Sequence, residues 1–190
     1  MKKILLLIDC QYDFLDGGKL GVSGSTDKMH NLTDYVRNHG NDYTMIVATA
    51  DWHPFTHCSF KENGGMWPTH CVQHSLGAAI FEPLLIAINE SANHFEVLTK
   101  GCDEDHEEYS IFKNMTSCDE LIKLVERLDI EEIDVCGIAL SYCVADTIKD
   151  GRRNLPNVQF NLLKNFCPDI GDGSAETIKK LEDINVKIVQ

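Results

Sequence analysis

The chain has 190 residues, 43% hydrophobic and 25% charged, a balance that suits one folded domain over residues 1–190 and excludes disordered or fibrous architectures. Its 30 acidic against 17 basic side chains give a formal net charge of -13, so no nucleic acid and no membrane partner is expected. The apolar run Ile4–Ile8, cut by Asp9, is too short for an export signal or a membrane span. A cytoplasmic location is expected, with the eight cysteines as thiols.

Along the chain, short β-branched runs at Lys3–Ile8, Thr44–Thr49, Phe95–Thr99, Ile133–Gly137, Val158–Leu163 and Val186–Val189 read as strands buried on both faces. Helical patterns lie between most of them. Asp27–Asn38 carries Leu32 and Val36 at helical spacing, and Ser117-x-x-Glu120 reads as a capping box opening Cys118–Leu128. Tyr142–Asp150 is expected to end at a C-capping Gly151, and Ser174–Ile184 follows Gly171 and Gly173. This alternation predicts a three-layer α/β/α fold with a central, mainly six-stranded parallel sheet.

In such sheets ligands gather at the carboxyl ends of the strands, and here those ends carry chemistry. The first strand ends in Asp9, the second runs into Asp51-Trp52-His53, the third ends in Lys100, and the fourth leads through Gly137-Ile138-Ala139 to Cys143. The long segment from Asp51 to Cys71 holds His57, Glu62 and His70 as well, with Pro54 and Pro68 to stiffen it. Asp51 and His53 project to one side of an extended segment and His70 folds back to meet them, a set suited to zinc, iron or manganese with open positions; His57 or Glu62 could add a ligand.

Cys143 stands where a strand-turn gives way to a helix, whose N-terminus favours thiolate over thiol. Asp9 is then the acceptor for its proton, and the Lys100 ammonium balances the pair. No C-x-x-C spacing occurs, and Cys10, Cys118, Cys136 and Cys167 read as small core residues.

With these residues in hand, the chain resembles the nicotinamidases of the isochorismatase-like cysteine hydrolase family. The match rests on Leu7–Phe14, on Asp51-Trp52-His53-Pro54 with Trp67–Val72, on Lys100-Gly101 with Tyr109-Ser110 and Phe112, and on Gly137-Ile138-Ala139 before Tyr142-Cys143-Val144. The resemblance implies a catalytic triad of Asp9, Lys100 and Cys143, and one divalent metal, zinc foremost, on Asp51, His53 and His70. It also implies a cis peptide between Ile138 and Ala139, an oxyanion hole from the amides of Ala139 and Cys143, and a pyridine pocket walled by Phe14, Trp67, Ile138 and Tyr142.

The implied reaction is hydrolysis of nicotinamide to nicotinate and ammonia through a cysteine thioester, in NAD salvage. Pyrazinamide is the expected close substitute, and a homo-oligomer is compatible with the resemblance. The alternatives are another amidase of this fold acting on a ureido or carbamoyl substrate, or a catalytically silent binding module. Many bacterial members have Thr-Asp where this chain has Leu140-Ser141, so the hydrogen bonding just before the cysteine is expected to differ.

Overall fold

The computed structural model describes residues 1–190. Its six strands, all parallel, are β1 (Lys3–Ile8), β2 (Met45–Asp51), β3 (Phe95–Lys100), β4 (Glu132–Gly137), β5 (Gln159–Leu163) and β6 (Lys187–Val189). They lie in the order β3-β2-β1-β4-β5-β6. The central strands are covered on both faces: Ile4 to Ile8 and the whole of β2 are buried, which is why their sequences read as unbroken apolar runs. The edges differ. β3 exposes Glu96 and Val97, and β6 has only three residues.

Five helices form the outer layers: α1 (Ser25–His39), α2 (Glu82–Ser91), α3 (Met115–Leu128), α4 (Ala145–Asn154) and α5 (Ser174–Glu182). α1 packs on α2, and α4 packs on α5. The strand order reverses at β1, between β2 and β4, so the carboxyl ends of these strands border the crevice where an open parallel sheet takes its ligands. No helix is long and apolar enough to cross a membrane.

Three local features differ from the expectations. α2 lies in the β2–β3 connection where no helix was expected; Pro83 in its first turn and the buried Leu84, Ala87 and Ile88 at helical spacing form it. The capping box at Ser117 is not used. α3 begins earlier, with the Asn114 side chain accepting the Ser117 N–H at 3.1 Å, while the Ser117 hydroxyl donates to the Thr99 carbonyl at 2.7 Å.

Gly151, expected as a C-cap, sits inside α4, and a Cβ there would stand 2.5 Å from the Phe160 ring. Close helix–sheet approach selects glycine at this position. The Gly151→Ala variant should therefore lose stability, although alanine in a helix ordinarily gains about 1 kcal/mol over glycine. Overpacking costs about 1–3 kcal/mol and decides the sign, which a urea unfolding midpoint below that of the parent would register.

Candidate active site and metal centre

Groups at or beyond the ends of three strands converge on a buried ammonium at the end of a fourth. Lys100, the last residue of β3, is fully buried; its Nζ lies 2.9 Å from Asp9 Oδ2, forms an ion pair with Asp51 Oδ1, and lies 3.6 Å from Cys143 Sγ. Asp9 follows β1 in a left-handed conformation, with φ of 48°, and its Oδ1 accepts the Thr49 hydroxyl at 2.6 Å. Asp51 closes β2. Cys143 follows β4 by way of a cis peptide between Ile138 and Ala139, inside a π-type turn that runs directly into α4.

The electrostatics follow from burial and pairing. Removal from water would strip the charge from Lys100, yet the carboxylates of Asp51 and Asp9 hold its pKa well above the ordinary value, and it is an ammonium. Burial likewise pushes Asp51 up, yet the net shift is downward, with Lys100 the foremost opposing charge, and this carboxyl is ionised. Asp9 ends on the other side: burial, opposed by Lys100 and reinforced by Asp51, raises its pKa and makes it a stronger base than a surface aspartate. Burial also raises the Cys143 thiol well above its usual value, against the pull of Lys100. Burial thus opposes the pull toward thiolate that the helix start exerts. The thiol keeps its proton, with a basic carboxylate inside hydrogen-bond reach.

Asp51, His53 and His70 form a second cluster, with ligand atoms all within 4.8 Å of one another. Each imidazole is oriented from behind: His53 Nδ1 donates to the Gly101 carbonyl at 2.9 Å and His70 Nδ1 to the Pro68 carbonyl at 2.8 Å. Both Nε2 lone pairs are thereby aimed at Asp51 Oδ2, at 3.5 and 3.9 Å. His53 Nε2 is buried with no hydrogen-bond partner. An orphaned imidazole nitrogen facing a carboxylate and a second imidazole fits a divalent cation with open coordination positions. Asp9, Asp51 and Cys143 also bring ligand atoms within 4.8 Å, but Lys100 already supplies the cation there.

His57 and Glu62 stand apart from this cluster. His57 uses both ring nitrogens, Nδ1 with the Ser59 hydroxyl at 2.7 Å and Nε2 with the His106 carbonyl at 3.0 Å, and packs against the His53 ring. Glu62 is exposed and accepts the Thr69 hydroxyl. Neither is positioned as a ligand.

A slot beside both clusters is lined by Phe14, Trp67, Tyr142, Ala139 and Cys143, together with Asp51 and His70. Phe14 meets His70 edge-on at 5.6 Å, and Trp67 meets Tyr142 edge-on at 5.5 Å. The Ala139 carbonyl accepts the N–H groups of Tyr142 and Val144, each at 3.2 Å, which closes the turn presenting Cys143. Ile138 departs from expectation. Its side chain is fully buried and does not line the slot.

Sequence reasoning gave no role to Leu20, Glu107, Tyr109 and Ile170, which complete the lining. Tyr109 accepts the Trp67 indole N–H at 2.9 Å, and no local pattern announces that pairing across 42 residues. It also passed over two braces. The buried Gln11 side chain accepts the Asp51 N–H and donates to the Asp51 carbonyl, both at 2.8 Å, and Asp13 accepts the Cys71 N–H at 2.7 Å, next to His70. Polar residues inside an otherwise apolar segment after β1 were the available signal.

An acid, an ammonium and a thiol meeting beside a carboxylate–imidazole cluster define the class: an α/β cysteine hydrolase with a metal centre. Residues 3–159 match the Isochorismatase domain, and the chain belongs to that family. It is 33% identical to the nicotinamidase of Escherichia coli, over 78% of this chain and 75% of that protein. The crystal structure of the pyrazinamidase of Pyrococcus horikoshii in complex with zinc superposes with a TM-score of 0.86 at 29% identity, covering 100% of this chain and 99% of that one. The PnC1 protein of L. infantum in complex with nicotinate gives a TM-score of 0.87 at 31% identity, over 100% and 92% of the two chains.

Gly101 offers a direct test of the second cluster. It has φ of 64°, and a Cβ there would overlap the His53 ring. Gly101→Ala should tilt that ring and weaken divalent-metal affinity by about 10- to 100-fold, as loss of an orienting contact commonly does. Competition against a chromophoric chelator measures this without any assay of turnover.

Proposed function

We propose that this chain is a nicotinamidase, one isochorismatase-like domain over residues 1–190, that hydrolyses nicotinamide to nicotinate and ammonia in NAD salvage in the cytoplasm. The observation that carries the reading is the buried Lys100 ammonium, in contact at once with Asp9, Asp51 and the Cys143 sulfur. The sequence identity to nicotinamidases and the fit to a nicotinate-bound neighbour support the substrate.

The chemistry runs through the chain's own groups. Asp9 takes the thiol proton as the Cys143 sulfur attacks the amide carbonyl, and the amides of Ala139 and Cys143 receive the oxyanion, each such donor being worth about 3 kcal/mol in comparable sites. Asp9 returns the proton to the departing amine, leaving a thioester and ammonia. Asp9 then accepts a proton from water, whose oxygen attacks the thioester, and nicotinate leaves as the thiol is restored. Lys100 keeps Asp9 ionised between steps.

Phe14, Trp67 and Tyr142 hold the ring so that its carboxamide meets the sulfur, which supplies much of the rate for so reluctant an electrophile. Asp51, His53 and His70 would hold the divalent metal, for which zinc suits the donor set, with iron or manganese as alternatives. When bound it supplies a Lewis acid for the pyridine nitrogen and for water. Pyrazinamide keeps the same ring nitrogen and carboxamide and is expected to be accepted.

Cys143→Ala should lower ammonia release from nicotinamide on the order of a thousandfold or more while leaving metal content intact. Release that persists in this variant, or equal turnover of an aliphatic or carbamoyl amide by the parent, removes the proposal. Treatment with a chelator should abolish turnover, and stepwise return of zinc, iron or manganese identifies the working metal by the activity each restores.

A further inference from the structure

The turn that carries Cys143 is held by a group no sequence motif names. We propose that Asp169, on the β5–α5 connection, is a positioning residue that sets the nucleophile turn and one wall of the substrate slot together. This rests on the reading of Cys143 as the nucleophile and deepens it.

One carboxylate gathers four donors from three separate places. Asp169 Oδ1 accepts the Ser141 N–H at 2.9 Å and the Ile170 N–H at 3.0 Å; Oδ2 accepts the Ser141 hydroxyl at 2.5 Å and the Ser174 hydroxyl at 2.8 Å. Because the Ser141 hydroxyl donates to the carboxylate, its oxygen is free to accept, and Thr177 Oγ1 lies 2.8 Å away as the donor. A chain of bonds thus runs from the first turns of α5 through Ser141 to Asp169, each bond polarising the next. The Leu140 N–H adds a backbone tie to the Pro168 carbonyl at 3.0 Å.

What these bonds hold is the reactive segment. Ser141 lies two residues before Cys143, and the intervening Tyr142 leaves helical geometry, with φ of -118° and ψ of -105°. The Ala139 carbonyl closes this turn from within, and the Asp169 carboxylate adds anchorage from outside it. At that kink the Tyr142 ring meets Trp67 edge-on, and one residue on the Cys143 sulfur faces Lys100. On the other side of the carboxylate, Ile170 lines the same slot. A loop tether concerned only with stability would not need one acceptor to hold both the nucleophile turn and a residue that lines the slot. Charge-assisted hydrogen bonds are among the stronger ones, and small misplacements of a nucleophile are costly in rate.

The nested geometry gives a nested test. Asp169→Ala removes all four acceptor contacts and is expected to lower kcat about 30-fold and to raise KM, since Ile170 is released with the turn. Ser141→Ala removes only the hydroxyl link and should lower kcat about fivefold with KM unchanged. Combining the two should be no worse than Asp169→Ala alone, because the serine's contribution passes through the aspartate. Ser141→Thr, which keeps the hydroxyl, should restore the activity that Ser141→Ala loses.

The alkylation rate of Cys143 by iodoacetamide, read from its own peptide by mass spectrometry, should change in each variant in the order of kcat. The inference is overturned if folded Asp169→Ala keeps the parent's kcat. It is also overturned if the two losses multiply, or if only the thermal midpoint falls while kcat and alkylation rate stay put. Should Asp169→Ala fail to fold, the alanine and threonine variants at Ser141 decide the matter. The parent enzyme measured alongside separates the two levels: no ammonia from the parent removes the functional reading, whereas an active parent with indifferent variants removes only this one.

Discussion

The site depends on one buried cation. An ammonium stripped of water is tolerable only with paired carboxylates around it, and Lys100 has two, Asp9 on one flank and Asp51 on the other. The pairing makes the aspartates unequal. Asp51 stays charged, whereas at Asp9 burial and the neighbouring charge of Asp51 outweigh Lys100 and make it the better base. Two carboxylates of one chemical type thereby come to differ in basicity, which suits one to hold a cation and the other to accept a proton, and their shared neighbour ties them together.

Around that centre the segment following β1 acts as a frame. Gln11 grips the backbone of Asp51, Asp13 grips the Cys71 amide in its left-handed turn, and Phe14 packs on His70. The residues flanking Asp9 thus position the metal cluster, so the base and the ligands are set by one short stretch of backbone. The segment after β4 is framed in the same manner from the β5–α5 connection, through Asp169.

Much of this was legible in the sequence, for reasons that are physical. Strands buried on both faces must be apolar, so all six stood out, and polar side chains at their ends had to be accounted for. Asp9, Lys100 and Cys143, and Asp51, His53 and His70, were found in this way and by resemblance, and they lie together in space. What escaped was whatever depends on partners distant along the chain. Gly151 reads as a stop signal until Phe160 is seen beneath it, and Ser117 reads as a cap until Thr99 claims its hydroxyl. The opposing pull of burial on the Cys143 thiol escaped likewise, since a helix start is local and visible while burial is not. Ile138 looked like a wall because it neighbours one.

Each of four neighbouring strands leads into one reactive side chain, at its end or in the turn that follows, from a framework whose interior is mostly hydrocarbon. This arrangement divides the chain into two regimes of evolutionary change. An exchange at a tip rewrites the chemistry without disturbing the packing below, whereas an exchange in the interior moves every tip at once. On such a scaffold the reactive groups at the rim can be altered separately from the packed interior.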